Sequence, residues 1–233
     1  MYSNKNILAV IPARGGSKGV PKKNLREING VPIVCLAAQI SSTSSLIDRT
    51  VVSTDSIEII NKVKEFGYDA PFKRPEAISG DRIGDVPVLI HALNESEKIF
   101  NETFDVILML QPTSPLRTTH DIELAIELII DKDYDSVWSV SPVDLKNHPF
   151  KQLSLKNGLI SYVDKSNAEK IIARQQLERT YIRNGIVYAI KADFLKKQKK
   201  LLGEKSGCLV IDREIVNIDT EDDFKRLSEI LKK

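Results

Sequence analysis

What most constrains the fold of this 233-residue chain is an alternation that begins at residue 7. Apolar runs of strand length take turns with amphipathic stretches of helix length. The runs at 7–11, 50–53, 106–110 and 136–140 predict strands, and 31–42, 56–66, 86–100 and 119–130 have the apolar spacing of helices. Asp55 or Ser56 is placed to cap the second helix, and Thr118 or Thr119 the fourth. Strands separated by helices cannot pair as hairpins, so the expected fold is α/β: a doubly wound, mostly parallel sheet covered on both faces.

The pattern changes over 145–183, where short apolar pieces, an Asn157-Gly158 turn signal and many Lys, Arg and Gln predict a β-rich excursion. Apolar runs resume at 185–190, 208–211 and 215–218, all expected as strands. A closing helix over 220–231 carries Thr220 as cap and Asp223 three residues on. One domain over 1–233 with 145–183 inserted fits this order. Lys+Arg 34 against Asp+Glu 32 leaves a formal +2, so no polyanion-binding surface and no nucleic-acid partner is expected. Cys35 and Cys208 stand in apolar surroundings, suggest neither a disulfide framework nor a cysteine metal site, and fit a reducing cytoplasm. No apolar run approaches the roughly 18 residues of a spanning helix, so a soluble, unprocessed protein without a membrane partner is expected.

The chemistry is concentrated in loops that follow strands. After the first comes AVIPARGGSKGVPKKN, 9–24, which combines flexible glycines with Arg14, Lys18, Lys22 and Lys23. Freed backbone N–H groups and fixed cations make an anion cradle. The order is not that of a P-loop, because Ser17 precedes Lys18, nor that of a dinucleotide fingerprint, because Gly15, Gly16 and Gly19 read G-G-x-x-G. A basic surface turn competes with the cradle. The position outside a strand's carboxyl end favours the cradle.

After the third strand comes QPTSPLR, 111–117, an amide, two hydroxyls and a guanidinium between restrictive prolines; turn formation and helix capping compete with binding here. In FKRPEAISGD, 72–81, Arg74 is suited to a phosphate or a base edge, or to a solvated face. In VNIDTEDDF, 216–224, Asn217 and Asp219 alternate, so on a strand they share a face and offer two hard oxygens to Mg2+; helix capping by Asp219 is the competing reading.

In this order the segments resemble the CMP-N-acylneuraminate (nonulosonic acid) cytidylyltransferase family. The resemblance is carried by PARGGSKG…KN at 12–24, KRP at 73–75, LQPTSPLR at 110–117, HPFK at 148–151, RQQL at 174–177, NG at 184–185 and IDTxxD at 218–223. It spans nearly the whole chain and implies a nucleotide-diphospho-sugar transferase type of fold. The reaction it implies is attack by the anomeric hydroxyl of an acidic nine-carbon sugar on the α-phosphorus of CTP. Arg14 and Lys18 are implied as catalytic, and Ala13, Gly15, Ser17, Asn24 and Arg74 as nucleotide contacts. Gln111, Thr113, Ser114, Arg117, Lys151, Arg174 and Gln175 are implied on the sugar side, and Asp219 and Asn217 as Mg2+ ligands. The excursion corresponds to the family's dimerisation region, which implies a homodimer. Relatives of the legionaminic acid branch are suggested by YIRNG at 181–185. The chain departs from the family's D-I-D by carrying Asn217-Ile218-Asp219. Another nucleotide with a sugar 1-phosphate, or a catalytically silent binding subunit, are the competing functions.

Overall fold

A computed structural model describes residues 2–17 and 19–231. The chain divides into two compact units: one comprises residues 1–139, 184–209 and 214–233, the other residues 140–183 and 210–213.

In the first unit, β1 (Ile7–Pro12) is followed by a small hairpin, β2 (Glu27–Ile28) and β3 (Val31–Pro32), and by α1 (Ile33–Ser42). Residues 31 and 32, expected as the start of the helix, instead pair with β2. The turn between them holds Asn29 at φ 51° and Gly30 at φ 79°, the Asn-Gly chemistry of a tight hairpin. Then come β4 (Arg49–Ser53), α2 (Ile57–Glu65), α3 (Asp85–Phe100), β5 (Val106–Met109), α4 (Thr119–Asp131) and β6 (Ser136–Pro142). Ser56 caps α2 by accepting from Ile59 N at 3.4 Å, and Thr118 caps α4 in a reciprocal box with Asp121.

The second unit carries the hairpin β7 (Leu153–Lys156) and β8 (Leu159–Tyr162), turned at Asn157 (φ 52°) and Gly158 (φ 78°) as the sequence signals. The short helix α5 (Lys165–Ala168) and tight helical turns make up much of the rest. The hairpin leaves apolar side chains in solvent: Leu155 is 74% exposed and Leu159 76%.

The chain returns through β9 (Tyr181–Lys191), α6 (Ala192–Gln198), β10 (Ser206–Val210) and α7 (Glu221–Ile230). The expected strand at 215–218 does not form. Val216 and Ile218 are buried and Asn217 is exposed, so the two-residue period is real, but the segment lies over loops and pairs with no strand.

The sheet order is β10-β6-β9-β5-β1-β4. β1 lies parallel to β4 (Val10 opposite Val51) and to β5 (Val10 opposite Met109), whereas β9 joins β5 antiparallel. Leu8, Val10, Val51, Ile107 and Met109 pack with Leu89 and Leu93 of α3 and Leu195 of α6. By the alternation of a strand, Ile7, Ala9 and Ile11 face the opposite side, where α1 packs on β1, β4 and α4. A second cluster joins Val20, Ile28 and Ile33 to Val216, Ile218, Phe224 and Leu227. Cys35 is buried in α1, which pushes its thiol up to about 11; Cys208 is exposed. Among the described residues no helix is long and apolar enough to cross a membrane.

Candidate active site

Because β1, β4 and β5 run parallel, the loops leaving their carboxyl ends share one rim, where open α/β sheets place ligands. A cavity of about 280 Å3 opens there. Arg14, Gly16, Ser17, Lys23 and Asn24 line it from the first loop, Arg74, Ser79 and Asp81 from the stretch between α2 and α3, Asp85 from the first turn of α3, and Gln111 and Thr113 from the loop after β5. Its size is near the lower end of small-molecule sites, about 300–1,000 Å3.

The first loop is tied down on both sides of its glycines. Ala13 N donates to Ser53 O at 2.9 Å, and Asn24 Nδ2 donates to Arg14 O at 2.9 Å. Val20 is fully buried in the second cluster. Gly19 passes so close to the 216–219 segment that a Cβ would stand 2.5 Å from Asp219 O, which only glycine avoids. Lys23 Nζ donates to Ile218 O and to Asp219 Oδ1, both at 2.9 Å. The Arg14 guanidinium pairs with Asp81 at the cavity, both side chains being more than one third exposed. Lys18 lies outside the described residues.

Arg74 is almost wholly buried, with Nε donating to Ser79 Oγ at 3.0 Å and Nη2 3.6 Å from Asp55 Oδ1. Burial lowers its pKa, while Asp55 raises it and Arg14 lowers it further; an arginine remains a cation at neutral pH through such a shift.

The QPTSPLR loop divides in two. Gln111 and Thr113 face the cavity, whereas Ser114 and Arg117 turn inward. Ser114 Oγ donates to Asn217 Oδ1 at 2.7 Å and to Asn184 O at 3.2 Å. Arg117 donates to the backbone carbonyls of Gln111 at 2.9 Å and Gly185 at 3.1 Å, and also to that of Ile186. Full desolvation pulls its pKa down to about 9. Arg117 therefore clamps backbone, and the expectation that it contacts substrate is corrected: its guanidinium does not line the cavity.

Asn217 and Asp219 alternate with buried neighbours and are both exposed, as expected, but the segment that carries them is not a strand. The Asn217 oxygen already accepts from Ser114, and Asp219 is paired with Lys23. Among the described residues, no group of three or more His, Cys, Asp or Glu is placed to hold a metal. As arranged, these two oxygens do not fit a preformed Mg2+ site.

Lys151, Arg174 and Gln175 belong to the second unit, where all three are exposed. Arg174 lines a cavity of about 400 Å3 there with Arg179, Asp144, Thr180 and Asp212. The sequence reading gave no role of their own to Ser79, Asp81 and Asp85, and took Lys23 only as one cation of the basic loop, although all four line the first cavity. Lys23 was legible in the KKN run, and Ser79 and Asp81 lie in the segment marked by Arg74; nothing local distinguishes Asp85 from a helix N-terminal acid.

The family model described as Cytidylyltransferase matches residues 8–227. The chain belongs to the cytidylyltransferase family. This cytidylyltransferase is 33% identical over 220 residues to the CMP-N,N'-diacetyllegionaminic acid synthase of Campylobacter jejuni, covering 94% of this chain and 92% of that protein. It is 32% identical over 227 residues to the post-translational flagellin modification protein B of Campylobacter coli, covering 97% and 95%. Among solved structures, CMP:2-keto-3-deoxy-manno-octonic acid synthetase in complex with CTP superposes with a TM-score of 0.72 at 18% identity over 97% of this chain and 98% of that one. That likeness is one of fold.

Proposed function

We propose that this cytidylyltransferase transfers CMP from CTP to the anomeric hydroxyl of a nonulosonic acid, with a legionaminic acid as the favoured acceptor. In this step the sugar hydroxyl oxygen bonds to the α-phosphorus, the bond from that phosphorus to the bridging oxygen of the β-phosphate breaks, the hydroxyl proton is lost, and pyrophosphate leaves. The observation that carries the reading is the rim cavity, where Arg14, Lys23 and Arg74 line one small space beside a glycine-bearing loop after β1. Three cations there can offset the charge that builds on the departing pyrophosphate. Arg14 exchanges Asp81 for a phosphate oxygen when the triphosphate enters, and Lys18 of the same loop is proposed to share that charge. The backbone from Ala13 to Ser17 and the side chain of Asn24 shape the loop around the nucleotide. Gln111 and Thr113 stand across the same cavity, on the side assigned to the acceptor.

Lys151, Arg174 and Gln175 are kept as proposed acceptor contacts, being cations and an amide suited to a carboxylate. Mg2+ would offset charge on the triphosphate, and of the pair named from sequence only Asp219 would offer it a carboxylate. A homodimer is proposed because the β7–β8 hairpin presents Leu155, Leu159 and Ile160 to solvent, a face that a second copy would cover. The cytoplasm, where CTP is made and thiols stay reduced, is the proposed compartment.

The test is pyrophosphate release measured with CTP, UTP, GTP and ATP against a panel of nonulosonic acids and hexose 1-phosphates. Turnover is expected with CTP and a nonulosonic acid. Turnover with GTP and a hexose 1-phosphate but not with CTP would overturn the proposal, and so would nucleotide binding without turnover on any acceptor.

A further inference from the structure

An acid beneath an anion-binding loop calls for an explanation. Asp55 follows β4 and points beneath the first loop, where its Oδ1 accepts from Gly15 N at 2.9 Å. The same oxygen is 3.6 Å from Nη2 of Arg74. Asp55 does not itself line the cavity, whereas the neighbours of Gly15, namely Arg14 and Gly16, do, and so does Arg74. Nor does Asp55 cap α2, since Ser56 does that. Its carboxylate is thus available for another task, and both of its partners carry a cavity wall.

We infer that Asp55 is a positioning residue for the nucleotide: one carboxylate oxygen holds the Gly15 N–H and the Arg74 guanidinium at once, setting the phosphate loop and Arg74 at a fixed separation. Arg74 has a side chain only 4% exposed, so its charge is poorly hydrated and needs a nearby anion to remain in place. Its backbone is already fixed, because Arg74 N donates to Thr54 O at 2.7 Å, one residue before Asp55. Its Nε is held by Ser79 Oγ, whose hydroxyl in turn donates to Pro75 O at 2.8 Å. Asp55 supplies the charge that this hydroxyl cannot. The bond to Gly15 also commits that N–H to Asp55.

This inference rests on the nucleotide reading, and the experiment separates the two. Binding of CTP to the wild-type protein is measured first, by calorimetry and by the shift in thermal melting; no binding would sink the nucleotide reading itself. Given binding, Asp55→Asn keeps an acceptor for Gly15 N–H and removes the counter-charge, while Asp55→Ala removes both. The expected result is a KM for CTP raised about tenfold in Asp55→Asn and more in Asp55→Ala, with kcat changed less. Plain Coulomb repulsion predicts the opposite sign, since deleting a negative charge near a triphosphate tightens binding. The second arm is a double-mutant cycle with Arg74→Ala, in which Asp55→Asn should add little once Arg74 is gone. An unchanged or lowered KM in folded Asp55→Asn, or full additivity with Arg74→Ala, would overturn the inference. A purely structural role would move the melting temperature without this coupling.

Discussion

Two loops leave the same rim of the sheet with similar chemistry and point it in opposite directions. The loop after β1 presents Arg14 to an open cavity and is held from within by Asn24 on its own backbone and from outside by Val20 in a small core and Lys23 on Ile218. The loop after β5 also carries an arginine among turn-forming residues, yet Arg117 is fully desolvated and holds three backbone carbonyls. The first loop places its cation where a ligand's charge can reach it. In the second, the cation ties the carbonyl of Gln111 to those of Gly185 and Ile186 in β9, while Gln111 and Thr113 face the cavity. A guanidinium at a strand's end is therefore either a ligand group or a scaffold, and burial decides which.

The comparison breaks most visibly at Arg117. Arg117→Ala takes the guanidinium donor from the carbonyls of Gly185 and Ile186 and leaves that of Gln111 only Ser114 N, and should cost about 3 kcal/mol or more in denaturant unfolding, with activity falling as the loop loosens. A stable Arg117→Ala protein with only a raised KM for the sugar would return this residue to substrate binding. Arg14→Ala should behave inversely, cutting kcat/KM for CTP by about tenfold to a hundredfold while the unfolding midpoint hardly moves. Near-normal kinetics in folded Arg14→Ala and Lys18→Ala would make the first loop an ordinary surface turn.

Smaller effects sharpen the picture around the segment on which both loops lean. Thr220→Ala removes the cap of α7 and should cost about 1 kcal/mol, read as a shift in unfolding midpoint. Its partner Asp223 is held below its ordinary pKa of 3.8, first by the Asp219 N–H and then by Thr220, against the opposing effect of burial. The contribution of Asp223 is therefore complete above pH 3.8 and is lost as the pH falls through its lower folded value. Asp223→Asn should accordingly destabilise at pH 7 and progressively less in melts at lower pH. The smallest effect is expected from Asn217→Asp, which keeps an oxygen for Ser114 and should leave the Mg2+ concentration for half-maximal rate unchanged. A clear drop in that concentration would restore position 217 to the metal.

The sheet was legible because its strands are short apolar runs bounded by caps and glycines, and Ile7–Pro12, Arg49–Ser53 and Val106–Met109 fall within a residue or two of expectation. The segment at 215–218 deceived the same criterion. Alternation reports burial on one side, and an extended piece lying over loops satisfies it as well as a strand does. Arg14 and Arg117 were indistinguishable in sequence, since what turns Arg117 inward is backbone 68 and 69 residues later in the chain. Asp55 read only as a possible cap, because its partners at Gly15 and Arg74 belong to other loops.

The contact of Gly19 and Lys23 with residues 218 and 219 also sets an order of events during synthesis. Lys23 and Ile218 are separated by 195 positions, so the loop emerges from the ribosome long before the surface it rests on. Until Val216, Ile218, Phe224 and Leu227 arrive, Val20, Ile28 and Ile33 have no partners from that part of the chain. The central strands can pair earlier, since β1, β4 and β5 lie within the first 109 residues. The nascent chain thus acquires a sheet well before it acquires a shaped rim, and α7, translated long after the first loop, is the helix that closes it.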